Sequence, residues 1–350
     1  MTASVEPAVL VGVDGRAGRI TLNRPETLNA LTLEMVRLID AALDQFEQHE
    51  SVATIVIDGV GERALCAGGD IRSLYEAALA KDSSPRTFWA EEYRLDARIA
   101  RYRKPVVAVM DGIVMGGGVG ISAHASHRVV TERSVVAMPE VGIGFAPDVG
   151  GTWLLSHAPG ELGTHAALTT DRLGAADAIV CGLADRYVSA DDLAALYLEL
   201  GQVDADRALA NAGADPPEGK LAGRRQWIDQ CYSSDSAEEI VARLRAAGEE
   251  ASAAADKIES NSPTAIKVAL RSLRTARQLP SLERCLEMEY RVSTTFLDTP
   301  DFVEGIRAAV IDKDRSPRWN PARLHDVGDI DRFFAARSDD LRLDVVESAR

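Results

Sequence analysis

One stretch constrains this chain more than any other. Met115–Gly116–Gly117–Gly118–Val119–Gly120 is followed at short range by Met138–Pro139–Glu140 and by Pro147–Asp148–Val149–Gly150–Gly151. Three glycines opening an apolar helical segment leave bare backbone that a ligand can approach, because no Cβ stands in the way. The N–H groups there, with the helix dipole behind them, suit an oxygen gaining negative charge. A carboxylate held near the same point can act as base or nucleophile on the same carbonyl. A second glycine turn, Cys66–Ala67–Gly68–Gly69–Asp70, precedes the first. Taken singly, each turn is also explained as a tight strand-to-helix connection. The pair, each behind a buried strand, points to an oxyanion hole, because adjacent strand ends can aim two N–H groups at one point.

Along the chain, Val9–Val13 and Arg19–Leu22 read as strands around the Asp14–Gly15 turn. Thr32 is placed to cap a helix carrying Met35, Ile39, Leu43 and Phe46 on one face. Val52–Asp58 reads as a buried strand, and Asp70 opens the next helix. Pro105–Met110 is a second buried strand, with a helix from Gly116 to about Ala125 packed on it. Arg128–Thr131 and Val135–Met138 are further short strands. Strands and helices alternate, so an α/β core of ββα units is expected. From Gly160 onward the pattern turns helical, at 162–169, 175–180, 191–200, 237–247, 263–278, 281–296 and 302–311. Residues 204–220, rich in Ala, Gly, Pro and Asp, are expected to form a loop. The expected organisation is a core over 1–200 that holds the site, and a mainly helical region over 201–350 that completes the same catalytic unit.

At 350 residues, one large domain or a core with an appendage is expected. The 39 Lys and Arg against 54 Asp and Glu give −15, which argues against general nucleic-acid binding. A phosphate-bearing small ligand needs only a local basic cluster and stays open. Cys66, Cys181, Cys231 and Cys285 show no CxxC spacing, so a reducing cytoplasm is expected rather than a disulfide framework. No leader pattern and no apolar run long enough for a membrane span is evident. The histidines, His124 and His127 among them, lack metal-ligand spacing and are expected to be structural or exposed.

Four segments together resemble the crotonase, or enoyl-CoA hydratase/isomerase, superfamily: NRPETLNAL (23–31), CAGGDI (66–71), KPVVAVMDGIVMGGGVG (104–120) and AMPEVGIGFAPDVGG (137–151). The resemblance implies a spiral of ββα units, an acyl-CoA thioester as ligand, and oxyanion donors at the N–H groups of Gly69 and Gly117. It implies two catalytic glutamates in the hydratases, at the positions of Gly120 and Glu140 here, so one is missing. Asp148 stands where hydratases have glycine. This combination resembles the 3-hydroxyisobutyryl-CoA hydrolase branch, as do Glu91–Glu92–Tyr93, Glu289–Tyr290–Arg291 and the segment 305–319.

The resemblance therefore implies hydrolysis of a short 3-hydroxyacyl-CoA, 3-hydroxyisobutyryl-CoA of valine breakdown foremost, with 3-hydroxypropionyl-CoA second. Glu140 either attacks the thioester or activates a water; the sequence leaves both open. Asp148 and Glu92 suit acceptance of a hydrogen bond from the substrate hydroxyl. Two carboxylates in one cleft push their pKa values apart, leaving one able to protonate the leaving thiolate. Gly117 also lines the substrate, and Arg24, Asn29, Ala30 and Lys313 are expected at the CoA moiety. CoA belongs to the substrate, so no metal or redox cofactor is expected, and self-association is compatible with the chain. Rival readings are a hydratase or isomerase of the same fold and a non-catalytic CoA-binding protein.

Overall fold

The computed structural model describes residues 6–343. Gly15, at φ +60°, turns the chain between β1 (Val9–Asp14) and β2 (Ala17–Leu22), which pair antiparallel with Asp14 opposite Ala17. Thr32 accepts from the Met35 N–H and starts α1 (Leu33–Gln48), which buries Met35, Ile39, Leu43 and Phe46 as the spacing requires.

Strand pairs then repeat. β3 (Thr54–Gly59) and β4 (Ala64–Cys66) lead to α2 (Ile71–Ala80) and α3 (Ser84–Ala100). β5 (Val106–Met110) and β6 (Ile113–Met115) lead to α4 (Gly117–Ala123), and β7 (His127–Val130) and β8 (Val135–Ala137) to a single 3-10 turn at Glu140–Ile143. The first strand of each pair enters a large sheet ordered β1-β2-β3-β5-β7-β9, parallel from β2 onward, where β9 is Arg186–Tyr187. The second enters a small parallel sheet, β4-β6-β8, with Cys66 beside Val114 and Met115 beside Ala137. Three carboxyl ends of strands thus lie side by side, the place where parallel sheets bind ligands.

Helices follow: α5 (Gly151–Ser156), α6 (Leu162–Thr169), α7 (Ala175–Val180), α8 (Leu193–Leu200), α9 (Ala205–Ala212), α10 (Leu221–Cys231), α11 (Ala237–Ala246), α12 (Glu249–Ser260), α13 (Pro263–Ala276), α14 (Leu282–Phe296) and α15 (Pro300–Ile306), which runs into a π turn at Arg307–Ile311. The loop expected over 204–220 is corrected in its first half. Asp204 accepts from the Arg207 N–H and caps α9, whose Ala205, Ala208 and Leu209 are buried. Alanine is the best helix former, and its small side chain lets a helix lie close to a sheet. Gly213–Lys220 does remain without helix. The α8–α9 pair sets Leu196, Leu200 and Leu209 against Val56, Val107, Val109 and Val129. That cover explains why β3 and β5 read as continuous apolar runs: both faces of the large sheet are buried.

Among the described residues no helix is long and apolar enough to cross a membrane. All four cysteines are free and buried.

Candidate active site

The three strand ends of the small sheet each deliver one part of a site. Just past its end β4 leads to Gly68–Gly69, β6 to Gly116–Gly117 and β8 to Glu140. Gly68 (φ +109°) and Gly116 (φ +48°) occupy backbone conformations that side chains disfavour. A Cβ on Gly116 would also lie 3.2 Å from Glu140 Oε1, and one on Gly117 would collide with Glu92 Oε1. Gly117 is the first residue of α4, so its N–H has no intrahelical acceptor. Gly69 forms a parallel bridge with Leu31 whose bonds run from Leu31 N to Gly68 O and from Asp70 N to Leu31 O. The bridge leaves the Gly69 N–H unused. That amide nitrogen lies 3.5 Å from the point where a Gly117 Cβ would stand. The two glycine turns expected to carry the donors, at Gly69 and Gly117, therefore lie side by side.

A cavity of about 130 Å³ opens over them, and Glu92, Glu140 and Asp148 line it together with both glycine turns. Its size suits a short acyl group. Trp89 stacks on Phe145 with 5.4 Å between ring centroids, and Phe302 of α15 closes the wall 5.5 Å from Phe145. Glu140 is 5% exposed, and its Oε2 has no hydrogen-bond partner among the described residues. Burial, then the nearby Asp148 charge, pushes its carboxyl well above the usual range.

Asp148 accepts from the Tyr93 hydroxyl at 2.7 Å, which also meets Ser293 Oγ at 2.8 Å. Burial pushes Asp148 up to about 7, although the Tyr93 bond pulls the other way. Glu92 is 2% exposed, and burial followed by the Asp148 charge raises it well above its ordinary value. It faces inward, so it is not a solvated helix residue. Glu289 of α14 accepts from the N–H groups of Gly150 (2.7 Å) and Thr152 (3.0 Å) and so supplies the missing cap of α5. Even with both bonds, burial pushes it up to about 8. Nearby, His124 Nε2 donates to Val149 O at 2.8 Å, and burial lowers the imidazole to about 4, leaving it neutral.

The residues expected at CoA do not line this cavity. Asn29 is corrected: it is fully buried, its Oδ1 accepts from the Arg24 N–H, and its Nδ2 donates to Val60 O and Ala64 O. Its side chain fastens the loop before α1 to the β3–β4 connection, with nothing left for a ligand. Arg24 donates to Ala30 O at 2.7 Å and faces Asp70 at 3.5 Å, at the start of α2. Lys313 is exposed, just after the π turn that packs on α2. Trp89, Asp96, Ser293 and Phe302 escape the sequence reading. For Asp96 a signal existed: it follows Glu92 by four residues and so shares its helix face.

A sequence profile described as Enoyl-CoA hydratase/isomerase matches residues 17–334. The chain is 41% identical over 340 residues to the mitochondrial 3-hydroxyisobutyryl-CoA hydrolase of Gallus gallus, covering 93% of this chain and 88% of that one. With the human protein of that name it shares 40%, over 95% and 90%. Among solved structures, a carnitinyl-CoA dehydratase from Mycobacterium thermoresistibile superposes with a TM-score of 0.92 at 48% identity, covering 96% of this chain and 98% of that one. An enoyl-CoA hydratase from Rhodobacter sphaeroides 2.4.1 gives 0.90 at 41%, over 96% and 100%. The names diverge, hydrolase among the curated relatives and lyase-type among the solved structures, so the site's own chemistry has to choose between them.

Proposed function

The chain belongs to the enoyl-CoA hydratase/isomerase family, and from that premise we infer that it is a hydrolase of a short 3-hydroxyacyl-CoA thioester, releasing 3-hydroxyisobutyrate and free CoA. The observation that carries this reading is Glu140, buried with an unpartnered oxygen in the cavity that both glycine turns line. Position 120 favours it over hydration. The resemblance puts a hydratase's second glutamate there, and a Cβ on Gly120 would meet Val149 Cβ at 2.8 Å and Asp96 Oδ1 at 2.9 Å. That space is already filled.

In the proposed reaction the thioester oxygen sits between the N–H groups of Gly69 and Gly117. A Glu140 oxygen bonds to the carbonyl carbon while the carbonyl electron pair moves onto that oxygen. Each donor to the oxyanion is worth about 3–4 kcal/mol in comparable sites. Collapse breaks the carbon–sulfur bond, and the thiolate takes a proton from the carboxyl pair. Water then adds to the Glu140 carbonyl of the mixed anhydride; one of its protons returns to the carboxyl pair and the other leaves with the acid, restoring the Glu140 carboxylate. A single turnover in ¹⁸O-water separates this from water activation, since only attack by Glu140 leaves the label in its carboxyl. Asp148 and Glu92 receive the 3-hydroxyl, and the protonated member of the pair serves as the acid.

Further parts belong to the same proposal. Residues 1–200 form the core and 201–350 complete the catalytic unit, supported by Phe302 in the cavity wall and by Glu289 on the cap of α5. Arg24, the Ala30 backbone and Lys313 meet CoA, supported by their place around α2. The reaction uses no metal or redox cofactor, so dialysis against a chelator should leave the rate unchanged. The location is cytoplasmic, on the strength of four free thiols, and cell fractionation tests it; mitochondria enter only through the relatives' names.

The deciding experiment measures thiol release and loss of the enoyl double bond across a panel of 3-hydroxyisobutyryl-, 3-hydroxypropionyl-, isobutyryl- and crotonyl-CoA. The expected result is thiol release, at least about tenfold faster in kcat/KM for 3-hydroxyisobutyryl- than for isobutyryl-CoA, because a missing hydroxyl strands buried acceptors. Hydration of crotonyl-CoA without thiol release, or binding with neither reaction, overturns the assignment.

A further inference from the structure

Helix α3 meets α4 in an unusual way: two carboxyls enter two notches. Glu92 lies against Gly117, and one turn on, Asp96 lies against Gly120. Glu92 and Asp96 are four residues apart on one helix face, and Gly117 and Gly120 three apart on the other, so the pairs run in step. Asp96 is fully buried, and neither of its oxygens has a hydrogen-bond partner among the described residues; Glu92 Oε1 also lacks one.

An ionised carboxylate so placed, without a donor, is strongly disfavoured. The groups that act on Asp96 are Glu92, Asp148 and Glu289, all acidic, and they add to the effect of burial. Beyond Val149 the His124 ring is neutral and supplies no positive charge. A neutral carboxylic acid, by contrast, has one O–H to give, and one turn back on its own helix face Glu92 Oε1 still needs a donor.

We propose that Asp96 is a positioning residue for this reaction: as a neutral acid in the notch over Gly120, it donates its O–H to the Glu92 carboxylate and so keeps Glu92 charged and aimed at the substrate's 3-hydroxyl. Asp96 does not line the cavity, so it acts through Glu92. The proposal rests on the hydrolase reading above.

Asp96→Leu keeps the shape and removes the proton donor; Asp96→Asn keeps a donor. On 3-hydroxyisobutyryl-CoA, Asp96→Asn should stay within about threefold of wild type in kcat/KM and keep the preference over isobutyryl-CoA. Asp96→Leu should lose at least about tenfold, with the preference falling toward one. Its melting temperature should hold or rise, because a buried acid has been replaced by an apolar group. Its acid limb in kcat/KM should move to higher pH, because Glu92 has lost a bond that favours its charged form. An Asp96→Leu enzyme with the wild-type substrate ratio and pH profile overturns the role of Asp96 and leaves the hydrolase reading standing. A wild type that releases no CoA overturns both. Should Asp96→Leu not fold, the infrared difference between wild type and Asp96→Asn at pH 7 decides. A protonated carboxyl band supports the proposal, and a carboxylate band in its place overturns it.

Discussion

Glu140 owes its position to the backbone of three neighbours. Pro139 starts the 3-10 turn, Gly144 ends it in the left-handed region, and the Phe145 N–H returns to Glu140 O at 3.0 Å. Glu140→Gln keeps this shape and removes the proposed nucleophile. Turnover should fall at least about a thousandfold, or about 4 kcal/mol of transition-state stabilisation, while acyl-CoA affinity changes little. A variant keeping a tenth of wild-type turnover would exclude Glu140 from the chemistry. Tyr93 offers a subtler handle on the same pocket. Its hydroxyl lowers the Asp148 carboxyl, which burial otherwise raises to about 7. Tyr93→Phe should therefore raise Asp148 further and move the alkaline limb of kcat/KM, where the acid of the pair is lost, to higher pH, read from rates between pH 5 and 9. Asp148→Gly should lose both rate and most of the preference for a hydroxylated acyl chain.

Among the elements, α4 was legible and α9 was not, for the same physical reason seen from two sides. The Gly116–Gly118 run announces close backbone approach, because bare backbone is what glycine uniquely supplies. The alanines of α9 announce nothing, since Ala serves loops and helices alike, and only the valine face of the large sheet decides. Glu92, Asp96 and Glu289 were illegible as buried groups: carboxylates on helices are mostly solvated. The sequence pointed to Glu92 only through a likeness to known enzymes. Packing can be tested at the level of these elements. Gly117→Ala places a methyl against Glu92 and 3.1 Å from Leu31 Cδ1. If Gly117 is the proposed oxyanion donor, the variant should cut kcat at least about a hundredfold with the circular dichroism unchanged, since one displaced donor is worth that much. Gly117→Pro removes the N–H altogether and should do no better. Glu289→Ala strips the α5 cap of its two bonds and should destabilise the enzyme by about 1–3 kcal/mol, a drop of several degrees in Tm.

For the whole molecule, the buried acids set an unusual pH dependence. Asp148 at about 7 and Glu289 at about 8 are raised in the folded state above ordinary unfolded values near 4. The native state therefore binds more protons than the unfolded state across that window, and stability falls as pH rises through it. Asp171, lowered to about 2 by its partners after opposing burial, works the other way only at more acidic pH. Tm should thus rise on going from pH 8 to pH 5.5, by differential scanning fluorimetry, and Asp148→Asn should flatten the slope. A Tm that falls over that interval would mean these carboxyls are already ionised in the fold. The last consequence comes from the clamp on the Glu140 turn. Gly144 leaves no room for a Cβ beside Asp301 O, Gly305 none beside Ile143, and Ser262 Oγ donates to Asp301 at 2.6 Å. The seat of Glu140 is thus finished by residues translated long after it. A nascent chain carries Glu140 out of the ribosome unarmed and acquires a working pocket only when residues near 302 arrive, so an unfinished copy should hydrolyse no thioester in the crowded cell.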